Sequence, residues 1–85
     1  LHVHFSERLF NENNVGAIGS LDIPFIVAAM DLSFANEIEK DGRIPGEYEL
    51  KSHGFEYRSL SATTDLQKVT QVALDILKES KNQKL

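Results

Sequence analysis

The stretch GFEYRSL, residues 54–60, decides the fold. Side chains alternate across a β-strand, so Phe55 and Tyr57 share one face while Glu56 and Arg58 share the other. A strand over 54–60 is therefore two-faced: one side asks for cover, the other for water, a partner or a ligand. The opening LHVHF has the same pattern, with Val3 and Phe5 on one side and His2 and His4 on the other, and predicts a strand over 1–5. If the two strands neighbour each other, one sheet face packs on helices and the other gathers His2, His4, Glu56 and Arg58.

The rest of the chain supplies those helices. NENNVGAIG reads as a loop by its Asn and Gly content, and Ser20 is placed to cap a helix over 21–39 with Asp22 and Pro24 in its first turn. The middle of that helix, FIVAAMDLSFA, is apolar on nearly every side and predicts burial on more than one face. KDGRIPGEYELKSHG, with Gly42, Pro45, Gly46 and Gly54, reads as a loop over 40–53 with a short extended piece at 48–50. Thr63, Thr64 or Asp65 caps a last helix over 65–80, in which Leu66, Val69, Ala73, Ile76 and Leu77 recur at three- and four-residue steps before the polar, fraying KESKNQKL. The fold class is α+β, in the order strand, helix, strand, helix.

Length and charge bound the function. Eighty-five residues make one small domain or part of one, burying only about 60–65% of its unfolded surface, so the core is thin. With 41% hydrophobic and 26% charged residues the composition is that of an ordinary globular protein. The absence of cysteine excludes disulfides and thiolate metal sites and suits a cytoplasmic setting. A net charge of −4 argues against a nucleic-acid partner held along a broad basic face. No run approaches the roughly 18 apolar residues of a membrane span, so no membrane partner is expected. A first residue that is Leu1 rather than Met suggests a fragment whose upstream part is missing.

Each polar pair has a bland reading beside a sharp one. His-x-His on a strand is commonly a solvated face. Two imidazoles about 7 Å apart, at roughly 3.3 Å rise per residue, also converge on a metal or a phosphate. Glu56 and Arg58 read as a surface ion pair too, but such pairs contribute only about 0–1 kcal/mol, which is a poor reason to place them there. Lys51 and Arg43, in the preceding loop, either add positive charge to the polar side or are exposed loop cations. His53 is a solvated loop histidine. A His-based zinc hydrolase is disfavoured because no H-E-x-x-H is present.

The succession HVHF, a helix opening SLD, and RIPGEYELKSHGFEYRSLS resembles the second half of the phage and bacterial amidoligases. Their fold is similar to glutamine synthetase and glutamate-cysteine ligase. They carry a Gly-His-Ile-His-like strand and later a Lys-x-x-Gly-x-Glu-Tyr-Arg-x-Leu-Ser strand. The resemblance covers His2 to about Leu77. It implies a curved antiparallel sheet with helices packed on one face, part of a glutamine synthetase-like catalytic domain. It also implies an ATP-dependent carboxylate–amine ligase working with magnesium or manganese. Residue by residue it implies Glu56 on the metal with His2 as a second ligand or close neighbour of that metal, His4 and Lys51 on ATP, Arg43 on phosphate, and Arg58 on the substrate carboxylate or the transferring phosphoryl group.

This chain departs from the family pattern at Leu1 and Ser6, where the family has glycines, and in SATTDL, which lacks the usual aromatic. The family's acidic strand lies outside this sequence, so the domain is expected to complete its core with further sequence or a second copy. The rival expectation is a non-catalytic binding or structural module that keeps the fold.

Overall fold

A computed structural model describes residues 1–6, 22–52 and 54–83. In chain order the elements are β1 (Val3–Ser6), α1 (Ile23–Ser33), α2 (Ala35–Lys40), β2 (Tyr48–Lys51), β3 (Gly54–Tyr57) and α3 (Leu66–Gln83). The strands form one antiparallel sheet in the order β1-β3-β2. β3 is central because both of its edges are paired. Val3 lies opposite Tyr57, His4 opposite Glu56 and Phe5 opposite Phe55, while Tyr48, Glu49 and Leu50 of β2 lie opposite Tyr57, Glu56 and Phe55. Each cross-strand row is thus either apolar or polar throughout.

The apolar rows face the helices. Phe5, Phe55 and Tyr57 meet Ile26, Val27, Met30, Phe34 and Ile38 of the α1–α2 segment and Val69, Ile76 and Leu77 of α3 in one core. Phe5 and Phe55 stack across the strand pair with ring centroids 5.0 Å apart, adding about 0.5–1.5 kcal/mol to their burial. The α+β class and the one-sided helical cover agree with the alternation of β1 and β3.

Several element boundaries differ from expectation. β2 is a regular strand over 48–51, and the β3 strand ends at Tyr57 rather than at residue 60. The Arg58 N–H still donates to the Glu47 carbonyl at 2.8 Å and prolongs the pairing by one bond. Asp22 is the N-cap of α1, accepting from the Phe25 N–H at 3.2 Å; Ser20 lies outside the described residues. The single helix over 21–39 is two helices broken at Phe34, where φ is −118°. A four-residue step over-rotates by about 40° per turn, so a straight helix would carry Ile38 about 120° round the axis from Ile26. With the break between them, both are buried, and so is Phe34.

Burial of α1 on more than one face is not observed. The buried set is the stripe Ile26, Val27 and Met30, and Leu32 is 80% exposed. α3 buries Val69, Ile76 and Leu77 as expected, but Leu66 at its start is exposed. Asp65 caps it, accepting from the Gln67 N–H at 3.0 Å.

One polar contact ties the helices to the sheet. Asp31 of α1 accepts from the Tyr57 hydroxyl and, at 3.0 Å, from the Gly46 N–H. Burial and this carboxylate together push the Tyr57 hydroxyl well above its ordinary titration range, so it stays a donor. Gly46 has φ +77°, a left-handed conformation suited to glycine, and so turns the loop toward Asp31. Tyr57→Phe leaves the Asp31 carboxylate short of a donor and is expected to cost about 1–3 kcal/mol. Urea unfolding measures it; an unchanged midpoint would show that the contact adds nothing.

Candidate functional site on the open face of the sheet

The open face is built around Glu56. Its position in the central strand puts neighbours on both sides, and the alternation of each strand decides which side chains those are. From β1, His4 Nε2 lies 2.7 Å from one Glu56 carboxylate oxygen and His2 Nδ1 lies 3.5 Å from the other. Two residues along the same strand direction, Arg58 donates Nε and Nη2 to Glu56 Oε1 at 3.2 and 3.0 Å. From β2, Lys51 Nζ stands 3.8 Å from the same oxygen. The Glu56 side chain is 13% exposed, whereas those of His2 and His4 are 52% and 61% exposed. One enclosed carboxylate thus organises a rim of accessible donors.

Glu49 completes the cluster. It pairs with Arg58 and lies 3.6 Å from Lys51. It carried no role in the sequence reading, although YELK alternates as GFEY does and places Glu49 and Lys51 on one face. The four-residue run sat inside a glycine-punctuated segment and read mostly as loop.

Burial raises the Glu56 carboxyl pKa, but hydrogen bonds from Arg58 and His4, with the charges of Lys51 and His2, outweigh it and hold the group below its ordinary 4.5. A carboxyl lowered by folding stabilises the fold above the unfolded titration, and that contribution disappears as pH falls through the folded value. The stability gap between the protein and Glu56→Gln should therefore be widest near neutral pH and narrow below about 4.5. Urea midpoints of both proteins at pH 7 and pH 3 check this, since Glu49, Lys51, Arg58 and both histidines are common to the pair. A gap independent of pH would sink it.

Arg43 stands apart from the Glu56 cluster. Its Nη2 donates to the Arg58 carbonyl at 2.8 Å, and with Gly42, Ile44, Glu47 and Arg58 it lines a cavity of about 320 Å³. A second hollow of about 210 Å³ includes His4, Ser6, Lys51 and Gly54 in its lining. Arg58 therefore faces one hollow, His4 and Lys51 the other, and Glu56 holds all three.

The expected metal finds no ready site. Among the described residues no group of three or more His, Cys, Asp or Glu side chains is arranged to hold a metal ion. His2 and Glu56 meet directly, and the Glu56 carboxylate is already shared among a guanidinium, an ammonium and two imidazoles. As placed, these residues do not fit magnesium or manganese. What they present is two cations, Lys51 and Arg58, and two imidazoles, gathered beside the Glu56 and Glu49 carboxylates.

Among the described residues no helix is long and apolar enough to cross a membrane. Comparison of the chain with known protein families, with curated proteins and with solved structures finds no match.

Proposed function

We propose that this chain is part of an ATP-dependent carboxylate–amine ligase, and that its three-stranded sheet belongs to a glutamine synthetase-like catalytic sheet. The observation that carries this reading is the meeting of His2, His4, Arg58 and Lys51 on the single carboxylate of Glu56, although β1 and β3 lie some fifty residues apart. Surface solvation does not require such convergence. The gathering suits a face that handles a polyanion and a carboxylate together.

In such a ligase a substrate carboxylate oxygen attacks the γ-phosphorus of ATP, and ADP leaves with the bonding electron pair. An amine then attacks the acyl phosphate, loses a proton, and expels inorganic phosphate to leave an amide. Phosphoryl transfer asks mainly for positioning and charge neutralisation. Arg58 offers a planar fork to the carboxylate or the transferring phosphoryl oxygens. His4 and Lys51 line the hollow that suits the remaining phosphates, and Glu56 and Glu49 are positioning residues. Magnesium or manganese would need donors beyond the described ones, and no step here runs through it.

Calorimetry with a non-hydrolysable ATP analogue, with and without magnesium, tests the proposal. Binding weakened at least about tenfold by Glu56→Ala, a loss of about 1.4 kcal/mol, supports it. Absence of any nucleotide binding refutes it and favours the second reading, a non-catalytic module. That reading draws on the apolar side chains left uncovered: Leu32, Ile44, Leu50 and Leu66 are all more than 60% exposed. On either reading the domain completes its core against further sequence or a second copy.

A further inference from the structure

The sheet ends at β2, and the pairing of β2 leaves a defined set of backbone groups on its outer edge. Tyr48 lies opposite Tyr57 and Glu49 opposite Glu56, and the Arg58 N–H donates to the Glu47 carbonyl at 2.8 Å. Bonded pairs alternate along an antiparallel ladder, so Glu47, Glu49 and Lys51 turn their backbone groups toward β3. The N–H and C=O groups of Tyr48 and Leu50 point the other way, and among the described residues none of them has a hydrogen-bond partner. Such an edge is a template for another strand.

The side chains say which strand suits it. Tyr48 and Leu50 share the face of Phe55 and Tyr57 at the margin of the core, yet Leu50 is 66% exposed and Tyr48, edge-on to the Phe55 ring, is 45% exposed. Glu49 and Lys51 stand on the open face with their side chains 46% and 39% exposed. In an antiparallel pair, residues directly opposite share a face, and opposite charges there attract. With Leu50 on a twofold axis, Leu50 meets its own copy through backbone hydrogen bonds, Glu49 faces Lys51 of the second copy, and Lys51 faces Glu49 of the second copy. Sliding one copy by two residues either way sets Glu49 against Glu49 or Lys51 against Lys51 on the axis. The charges therefore select a single register.

We propose that two copies of this chain pair through their β2 edges in the Leu50-centred register, extending the sheet to six strands. Such a contact is isologous, with the same patch used twice. Its axis is perpendicular to the sheet, so the helices of both copies cover one face and both Glu56 clusters open on the other. β3 and its copy then lie three strand spacings apart, about 14–15 Å. The pairing stands on the edge and its charges and holds on either reading of function. A four-residue edge buries well under the roughly 1,000 Å² of a stable interface, so the dimer is a weak one.

Sedimentation equilibrium from about 10 μM to about 1 mM should show monomer passing to dimer. Glu49→Lys alone and Lys51→Glu alone each set like charges opposite at two places and should weaken the dimer at least about tenfold. Mixed one to one, the two variants regain both attractive pairs, and a heterodimer should form with the parent protein's affinity. Because both residues also touch the Arg58–Glu56 cluster within their own chain, recovery on mixing separates lost pairing from lost fold. Leu50→Pro removes the outward N–H while the β2–β3 ladder keeps its bonds, and should abolish the dimer with the circular dichroism unchanged. In the parent protein, exchange of the Leu50 amide hydrogen should slow as concentration rises.

A protein that stays monomeric throughout, a dimer indifferent to both charge reversals, or reversals that mixing does not rescue would overturn the proposal. So would a Leu50 amide protected equally at every concentration, because the edge would then be covered within one chain.

Discussion

Gly54→Ala is expected to prise β1 away from β3 and to cost the fold about 3 kcal/mol or more. Gly54 sits opposite Ser6 at the end of the strand pair. A Cβ built on it would lie 1.9 Å from the Phe5 carbonyl oxygen and 2.9 Å from the Phe5 carbonyl carbon. Both are backbone atoms, so no rotamer change relieves the clash; β1 itself must move. Phe5 is one of the fully buried side chains and stacks on Phe55, so moving β1 also opens the core.

In a domain of this size a loss of that order is a large part of the total stability, which for small proteins is about 5–15 kcal/mol. The functional consequence follows from the same geometry. His2 and His4 ride on β1, and their approach to Glu56 depends on the close pairing that Gly54 permits. Urea unfolding should show a clear drop in midpoint, and on the ligase reading nucleotide-analogue binding should weaken even at temperatures where the variant remains folded. A midpoint within error of the parent protein would mean that β1 does not pack against Gly54 in this way.

The period-two alternation explains why so much of the sheet was legible. HVHF and GFEYRS each sort apolar from polar side chains without ambiguity, and once two such strands are neighbours, His2, His4, Glu56 and Arg58 can only share a face. The same rule applied to YELK would have found Glu49, but its flanking glycines weighed toward loop. The break at Phe34 had no local signal: FIVAAMDLSFANEI contains neither glycine nor proline, and the break arises where tertiary packing keeps Ile26, Phe34 and Ile38 all buried.

Asp31 was illegible for a related reason. Its two partners, Tyr57 and Gly46, lie 26 and 15 residues away and meet it only once α1 has docked on the sheet. Arg43 and Glu47 show the limit of reading by residue type. A loop arginine and a loop glutamate look like solvated charges, and only the cavity they share with Arg58 sets them apart.

On the ligase reading, Arg58→Lys is the substitution with the largest expected effect on turnover. The native guanidinium engages Glu56 through Nε and Nη2 and reaches Glu49 through Nη2, while its backbone carbonyl is held by Arg43. The guanidinium plane is thus held by two carboxylates. Lysine keeps the charge but is a compact ammonium on a flexible stem, and it cannot hold both carboxylates and a planar ligand at once. On the ligase reading the lost interaction is one that strengthens as charge develops on the transferring phosphoryl oxygens.

The ligase reading therefore predicts a fall in kcat on the order of a hundredfold, comparable to removing one donor from a preorganised anion site. KM for ATP should change much less, because His4, Lys51 and the hollow they line remain. A rise in KM with kcat preserved would instead place Arg58 in ground-state binding of the carboxylate. Turnover close to that of the parent protein would remove Arg58 from the chemistry altogether, and with it the main reason for reading this face as a ligase site.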